Sequence, residues 1–234
     1  MDQQPGNALL HVQLHVDPAR AEEHDRWYNE EHLPHWVSLP GFLGGRRFNA
    51  LEGQDYFQYL TLYELGAAAA AGSDEYWKAR ENPPPRSKEM GALHSGALRS
   101  VFRQIYPEQG ALVGTGSGTR VVEGRQPIGR VLLHVMMDRD PELDDEINDW
   151  YNAHHLNDLL AMPGFLSARR FEAIEAEHDY LTIYEVESAD AFNSPEYKAP
   201  RRHQSPRAER GLSPTTFYRS VFQQTFPASG TLEG

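Results

Sequence analysis

Residues 8–16 alternate between two sets of side chains, and an alternation of this kind predicts a β-strand. One set is aliphatic and consists of Leu10, Val12, Leu14 and Val16. The other set combines Leu9 with three polar residues, His11, Gln13 and His15. We therefore expect one face of the strand to pack under apolar cover and the other face to carry imidazole and amide groups.

The chain that follows predicts the order strand, helix, strand, strand, helix, strand. The Asp17-Pro18 pair is a helix-start signal, and the three prolines at 83–85 are expected to stop regular structure after the second helix. The predicted elements are a helix over 17–37, a hairpin of strands 42–49 and 56–64 around a polar turn at 52–55, a second helix over 67–78 and a last strand over 98–105.

This order occurs twice, because the chain contains an internal repeat. Leu-Leu-His-Val at 9–12 recurs at 132–135 and Trp-Tyr-Asn at 27–29 recurs at 150–152, both at an offset of 123 residues. Tyr-Leu-Thr-Leu-Tyr-Glu at 59–64 is matched at 180–185 at an offset of 121, so the hairpin turn of the second copy is two residues shorter. Length changes at turns are typical of a true duplication.

The repeat predicts the domain organisation. The first repeat is expected over 1–112, a flexible Gly/Ser-rich linker over 113–126 and the second repeat over 127–234. A βαββαβ unit covers one sheet face with helices and leaves the other face bare, so two such units are expected to bury each other's bare faces. The predicted fold class is α+β, with two tandem ferredoxin-like repeats packed sheet to sheet as an intramolecular α+β barrel.

Composition narrows the classes of function. The 234 residues contain no cysteine, which excludes disulfides and thiolate chemistry and is typical of a reducing compartment. A net charge of −12 argues against a nucleic-acid partner. The sequence has no apolar stretch long enough to span a membrane and no signal-peptide pattern. We expect a cytoplasmic protein that binds a small molecule.

The motifs also resemble a known superfamily. The Trp-Tyr-Asn helix that ends in His32-Leu33-Pro34, the Pro-Gly-Phe strand start at 40–42 and the Tyr-Leu-Thr-Leu-Tyr-Glu strand are similar to the dimeric α+β barrel superfamily, and within it to EthD-like proteins. Such proteins usually dimerise to close the barrel, so the resemblance implies a fused dimer. Members include polyketide cyclases, lactone isomerases, cofactor-free monooxygenases and haem-dependent enzymes. The cyclases carry a first-strand histidine with tyrosines nearby, which by resemblance indicates His11 or His134 with Tyr59 or Tyr180.

The strand pattern itself suggests where these groups lie. If the aliphatic set of the first strand faces the helices, then His11, Gln13 and His15 face the barrel interior, as does His134 in the second copy. By the same reasoning, three residues of the Tyr-Leu-Thr-Leu-Tyr-Glu strand and three of its match in the second copy face the barrel interior: Tyr59, Thr61 and Tyr63, and Tyr180, Thr182 and Tyr184. Imidazole can act as a base near neutral pH and a phenol can donate to an oxyanion. The alternatives are a structural hydrogen bond for the histidines and simple packing for the tyrosines.

Further candidates for binding substrate lie beside these strands. One of Arg46 and Arg47, and one of the matched Arg169 and Arg170, should face inward, where it could hold a carboxylate or phenolate. The alternative is a salt bridge to Glu64 or Glu185. The remaining substrate-binding candidates belong to the first helix of each copy: Trp27, Trp150, His32 and His155. For both histidines the alternative is a bond to the last helix carbonyls.

We predict no tightly bound metal. His11 and His15 share a strand face but lie roughly 13 Å apart at ~3.3 Å per residue, too far to share an ion. Haem is possible by resemblance alone, with His94 and His203 as candidate axial ligands. The basic residues at 201–207 are interpreted as a solvated surface.

The leading hypothesis is an enzyme that uses histidine and tyrosine for elimination, isomerisation or cyclisation of an aromatic or polyketide-like substrate. Two alternatives stay open: a cofactor-free or haem-dependent oxygenase, and a non-catalytic protein that binds a hydrophobic ligand. The fused barrel could also form a homodimer.

Overall fold

The computed structural model describes residues 2–3, 6–53 and 57–234. Its centre is a closed antiparallel barrel of eight strands, in the order β2-β3-β1-β4-β6-β7-β5-β8, with β8 pairing back to β2. The strands are β1 (Ala8–Val16), β2 (Phe42–Gly53), β3 (Tyr59–Leu65), β4 (His94–Tyr106), β5 (Val131–Met137), β6 (Phe165–Glu175), β7 (Tyr180–Val186) and β8 (Phe217–Phe226). The predicted α+β barrel is confirmed, and part of the predicted turn at 52–55 lies outside the described residues.

Each copy of the sequence repeat supplies four neighbouring strands, and two matching strand pairs join the copies. β4 pairs with β6, where Gln104 lies opposite Phe171. β8 pairs with β2, where Gln224 lies opposite Phe48. In both joints the glutamine amide donates to two backbone oxygens of the turn that follows its own strand. The barrel is therefore closed by continuous backbone pairing across the repeats.

Helices cover the outer face of each half-barrel. The α-helices are α1 (Ala21–Trp27), α2 (Leu33–Val37), α3 (Asp74–Glu81), α4 (Pro85–Gly91), α5 (Asp144–Trp150), α6 (Leu156–Leu160), α7 (Pro195–Lys198) and α8 (Pro206–Glu209), with 3₁₀ turns at Pro18–Arg20, Ala68–Gly72 and Ala189–Asn193. A π-helical turn joins α1 to α2 at Tyr28–His32 and α5 to α6 at Tyr151–His155. The helix predicted over 17–37 is thus present with a wide turn inside it.

The prolines at 83–85 do not end regular structure as predicted. Pro85 is the first residue of α4. A proline is tolerated at the first position of a helix, because that position needs no N–H donor and its φ is already suitable. The buried side chain of Met90 then ties α4 to the core of the first repeat.

The barrel interior is a packed core. Its apolar side chains alternate with those that face the helices, and they are Leu9, Phe48, Leu60, Leu62, Phe102, Leu132, Met136, Phe171, Leu181, Ile183 and Phe222. The prediction that tyrosines of β3 and β7 face inward was wrong. Tyr59 and Tyr63 belong to the core beneath α1, and Tyr180 and Tyr184 to the core beneath α5. All seven residues of β3 and of β7 are buried, so hydrophobicity alone could not distinguish their two faces.

Two buried ion pairs cross the barrel interior between the repeats. Arg46 donates to both carboxylate oxygens of Glu185, and Arg169 does the same to Glu64. Each glutamate also accepts a backbone N–H, from Gly129 and Gly6 respectively. The prediction that one arginine of each adjacent pair faces inward is confirmed, and each bonds the glutamate of the other repeat.

The segment between the repeats is partly ordered as sheet. Strands Ala111–Gly114 and Thr119–Val122 form a hairpin, and Val113 pairs with Ser167 of β6. Further short strands at Asp2–Gln3, Gln126–Pro127 and Leu232–Glu233 extend the sheets. The repeat and linker boundaries remain a prediction. Among the described residues, no helix has the length and apolar character needed to cross a membrane.

Candidate active site in the second repeat

A cavity of about 280 Å³ lies between the outer face of the second repeat's strands and the helices that cover them. Leu133, Val135 and Met137 of β5 form its apolar floor, and Ile147 and Leu159 contribute to the helical wall. The cavity is therefore outside the barrel, in the layer between sheet and helices. Pockets lined mainly by apolar groups with a few polar atoms are typical of small-molecule sites.

Three polar side-chain atoms of the cavity wall are buried, and none has a hydrogen-bond partner among the described residues. They are Trp150 Nε1, His155 Nδ1 and Tyr184 Oη. Buried polar groups are nearly always paired, since an unmade hydrogen bond costs about 1–3 kcal/mol. Two donors and one imidazole nitrogen in one small space suit a ligand that carries both hydrogen-bond donors and acceptors.

The π-helical turn brings two of these groups together. Trp150 and His155 are five residues apart, which in a regular α-helix would turn them about 140° away from each other. Across the Tyr151–His155 π turn their ring centroids are 4.6 Å apart, and the His155 and Tyr151 rings are equally close. Turns of this kind often occur at functional sites.

Burial sets the protonation of the site. It lowers the pKa of His155 to about 4, with a further lowering by the charge of Arg201 that Asp158 partly offsets. Burial also raises the pKa of Tyr184 well above its ordinary value. At neutral pH the wall therefore offers an uncharged imidazole that can accept a proton and a protonated phenol that can donate a hydrogen bond.

Positive charge surrounds the cavity. Arg201, Arg207 and Arg219 line it, and no Asp or Glu is among its lining residues. Arg207 is paired with Asp140 at 2.6 Å. The Arg201 guanidinium donates to two backbone oxygens, those of Tyr197 and Ala199, and forms no ion pair with a described residue. The local field thus opposes the net charge of −12 of the whole chain.

The same layer of the first repeat is filled by side chains. Trp36 Nε1 donates to His32 Nε2 at 3.0 Å, and the Nε2 atoms of His24 and His94 are 3.0 Å apart. The residues that occupy the corresponding positions in the second repeat are Leu159, His155, Ile147 and Pro214, all of which line the cavity. Smaller or purely apolar groups at three of the four positions leave open space.

Comparison with solved structures identifies the architecture. An anthrone oxidase-like protein has TM-score 0.58 and 14% identity over 93% of this chain and 90% of its own. A proposed monooxygenase from Fusobacterium nucleatum has TM-score 0.60 and 11% identity over 97% and 95% of the two chains. A mutant chlorite dismutase from Candidatus Nitrospira defluvii has TM-score 0.54 and 10% identity over 94% and 91%. The chain has the α+β barrel fold.

Identities of this size show the fold alone. No protein-family model and no curated protein matches the sequence. The EthD-like and fused-dimer assignments therefore remain predictions, and the chemistry of this α+β barrel has to be argued from its own residues.

The two strand histidines predicted as bases lie inside the barrel. The Nε2 atoms of His11 and His134 are 2.9 Å apart, and the rings pack edge-on against Phe102 and Phe222. Both side chains are fully buried, and burial lowers the pKa of His11 to about 3. The sheet separates them from the tyrosines with which they were expected to act, so the structure does not bring the proposed pairs together.

The other candidate residues are divided between the two faces. Trp150, His155 and Tyr184 line the cavity, whereas Tyr180 is not part of the lining and donates to Asp144. The remaining candidates lie elsewhere: Gln13, Arg46 and Arg169 inside the barrel, Trp27, His32, Arg47, Tyr59 and Tyr63 beneath the first repeat's helices, Arg170 beneath α5, and His15 against Phe57.

Sequence reasoning missed the arginines of the cavity wall. Arg201 and Arg207 were interpreted as part of a solvated basic surface, yet both are partly buried against the cavity. A signal was present in the sequence, because a basic cluster is unusual in so acidic a chain. The sequence does not show that these arginines share a cavity with the β5 side chains Leu133, Val135 and Met137.

The two histidines suggested as axial haem ligands do not lie together at a cavity. Of the two suggested axial ligands, His94 contacts His24, and His203 bonds Asp158 at 3.0 Å while stacking on His154. Neither lines the cavity. The cavity volume of about 280 Å³ lies just below the roughly 300–1,000 Å³ that is typical of small-molecule pockets, and it suits two or three fused rings better than a macrocycle.

Proposed function

We propose that this protein is an oxygenase that oxidises an enolisable or phenolic aromatic compound in the cavity of the second repeat, with the substrate itself supplying the electrons. The observation that carries the proposal is the convergence of His155, Tyr184 and Trp150, as a neutral proton acceptor and two hydrogen-bond donors, on one apolar space. The fold shared with an anthrone oxidase-like protein and a proposed monooxygenase supports the oxygenase hypothesis over isomerisation or cyclisation.

The first step is a proton transfer. His155 Nδ1 takes a proton from the acidic C–H or O–H of the substrate, and Tyr184 Oη donates to the oxygen on which negative charge develops. Although burial keeps the pKa of His155 low in the unliganded protein, the imidazolium formed in this step lies beside the new anion. An opposite charge at that distance favours the protonated ring.

The second step uses dioxygen. The substrate anion passes an electron to O₂, and the resulting radical pair combines to a peroxide anion at the former C–H carbon. The His155 imidazolium returns its proton to this anion, which gives the hydroperoxide and restores the neutral imidazole. Loss of water then gives the ketone, so that R₂CH₂ and O₂ become R₂C=O and H₂O. One oxygen atom enters the product and the other leaves as water, and no external reductant is consumed. Apolar walls from Trp150, Tyr151 and Phe217 would hold the ring system in place.

The proposal is tested by measuring oxygen uptake with anthrone as the substrate. We expect stoichiometric O₂ consumption with formation of anthraquinone, and incorporation of one ¹⁸O atom from ¹⁸O₂. His155→Ala should lower turnover by about 10²–10⁴-fold with the fold intact. The matched variant His32→Ala, at the corresponding position of the filled first repeat, should keep wild-type turnover.

Two results would contradict the proposal. Conversion of the substrate under argon to a product of the same elemental composition would favour the isomerase or cyclase hypothesis. Tight binding of aromatic compounds with neither conversion nor oxygen uptake would favour the ligand-binding hypothesis.

A further inference from the structure

Beneath the cavity wall lies a buried guanidinium without a carboxylate partner. Arg170 is 1% exposed. Its Nη1 and Nη2 donate to the side-chain oxygens of Asn152 at 2.8 Å and Asn148 at 2.7 Å, and both acceptors are neutral amides. Its Nε has no hydrogen-bond partner among the described residues, and Arg170 forms no ion pair with any of them.

The first repeat shows the same arrangement with one difference. Arg47 Nη1 donates to Asn29 at 2.7 Å, as Arg170 does to Asn152, but Arg47 Nη2 donates to the carboxylate of Asp25 at 2.9 Å. Asp25 corresponds to Asn148 at the repeat offset of 123 residues. A buried charge is normally paired, because removal from water is costly. The second repeat therefore keeps the cation and lacks its counter-ion.

This uncompensated charge acts on the cavity. The Arg170 guanidinium lies 4.5 Å from the ring centroid of Tyr151, which lines the cavity. The charge of Arg170 also contributes to lowering the pKa of His155. The nearby carboxylate of Asp144 is occupied by Arg139 at 2.6 Å and by the hydroxyl of Tyr180.

A second cation, Arg201, belongs to the cavity lining itself. Its guanidinium contacts only backbone oxygens and the Tyr197 ring, at 4.8 Å, among the described residues. Arg207, by contrast, is neutralised by Asp140. The lining contains no acidic side chain, and the cavity and its immediate support contain two cations, Arg170 and Arg201, that form no ion pair with a described residue.

We propose that the cavity selects an anionic aromatic ligand, a carboxylate or phenolate on a flat ring system, with Arg201 as the group that contacts the anion and Arg170 as the buried charge that balances it. The inference rests on the proposed function, because it concerns the same cavity, and it adds the chemical class of the substrate. At an effective dielectric constant near 20, a unit charge within about 10 Å of an anion alters its affinity by at least about tenfold.

Calorimetric titration with two isosteric probes tests the inference: 2-naphthoate and the neutral naphthalene-2-carboxamide, both at pH 7. We expect wild-type protein to bind the carboxylate at least about tenfold more tightly than the amide. Asn148→Asp, which places the first repeat's carboxylate against Arg170, should weaken naphthoate binding by about tenfold and leave carboxamide binding unchanged. Arg201→Gln should act in the same direction.

Two further variants complete the design. Asp25→Asn, the mirror-image change in the first repeat, should leave both affinities unchanged. Leu159→Trp, which introduces the residue that fills the first repeat, should abolish binding of both probes and so locates them in the cavity. Circular dichroism of each variant checks the fold.

The inference is overturned by equal affinity for the two probes, by an equal loss of both in Asn148→Asp, or by probe binding that persists in Leu159→Trp. Failure of the proposed oxidation can be distinguished from failure of this inference. If only the oxidation is wrong, oxygen uptake is absent, but wild-type protein still prefers naphthoate and Asn148→Asp still loses that preference.

Discussion

The outer layers of the two repeats are built on the same strands and the same π-helical turn, yet one is filled and the other encloses a cavity. In the first repeat Trp36 bonds His32, and Tyr28 and Tyr63 bring their hydroxyls to 3.3 Å. In the second repeat the corresponding His155 and Tyr184 have buried polar atoms without partners among the described residues. The difference shows that a duplicated fold can keep one copy as support and open the other to a ligand by changing a few side chains.

The helices that cover the two repeats also differ, and those of the second repeat are shorter. α3 and α4 of the first repeat contain eight and seven residues, whereas α7 and α8 contain four each. Met90 of α4 reaches the core beneath it. Beside the shorter helices of the second repeat, the loop with Arg201 and the short helix α8 with Arg207 line the cavity and bring positive charge to it.

The largest expected effect comes from making the second repeat resemble the first. Leu159→Trp should fill the cavity and bond His155, and turnover in the anthrone assay should fall by at least about 10³-fold, because it removes substrate binding as well as the base. The reciprocal Trp36→Leu should leave turnover at the wild-type value and cost stability through the space it creates. Activity that survives in Leu159→Trp would place the reaction elsewhere.

The interior ion pairs should show the opposite behaviour, with equal effects in the two repeats. Arg46→Met leaves Glu185 buried without its partner, and Arg169→Met does the same to Glu64. Each variant should lower the free energy of unfolding by about 3–5 kcal/mol in chemical denaturation. A difference of more than about 1 kcal/mol between them would show that the barrel interior is as asymmetric as the outer layer.

Acid should destabilise the protein through its buried histidines. The folded-state pKa is about 4 for His155 and about 3 for His32, against 6.5 for an unperturbed imidazole. Below pH 6.5 the unfolded chain therefore binds protons that the folded chain does not, and the unfolding free energy falls as pH falls, by up to about 1.4 kcal/mol per unit for each histidine.

Two variants separate the contributions of the two histidines to the pH dependence of the unfolding free energy. His155→Gln should remove the contribution between pH 6.5 and about 4, whereas His32→Gln should remove one that extends to about pH 3. Denaturation curves recorded across this range measure both. Unchanged slopes in both variants would mean that the imidazoles are accessible to water in the folded protein.

The smallest expected effect distinguishes two tyrosines. Tyr63→Phe removes a hydroxyl that contacts Tyr28 and should cost about 1 kcal/mol of stability. Tyr184→Phe removes a hydroxyl without a partner and should leave stability unchanged or slightly higher, while it lowers turnover. Thermal melting and the oxygen-uptake assay measure the two outcomes, and equal destabilisation by both variants would remove this part of the contrast between repeats.

Sequence patterns were sufficient for the architecture. The repeat offset, the alternation over 8–16 and the Asp-Pro helix start predicted the eight barrel strands, the first helix of each repeat and a closed barrel, because local periodicity reports which faces are buried, whereas α4 was not predicted. The same alternation predicted His11 and His134 inside the barrel and one inward arginine in each adjacent pair. These predictions succeed where a strand has one polar and one apolar face.

The candidate site was predicted only in part. Trp150, His155 and Tyr184 were named from the sequence, but Tyr184 was expected inside the barrel, since β3 and β7 are buried on both faces and their orientation cannot be read from hydrophobicity. Arg201 was missed because it lies in a loop, whose position depends on what the preceding helices pack against.

The sequence by itself therefore determined the duplication, the order of elements and the barrel, since these follow from periodic burial within each segment. Only the tertiary structure decided which sheet face carries the site and which repeat is open. Those properties depend on side-chain volumes and charges that meet across separate segments. In the first repeat His94 contacts His24 from a segment 70 residues away, and Asp25 pairs with Arg47 across 22 residues, whereas the corresponding positions of the second repeat hold Pro214 and Asn148.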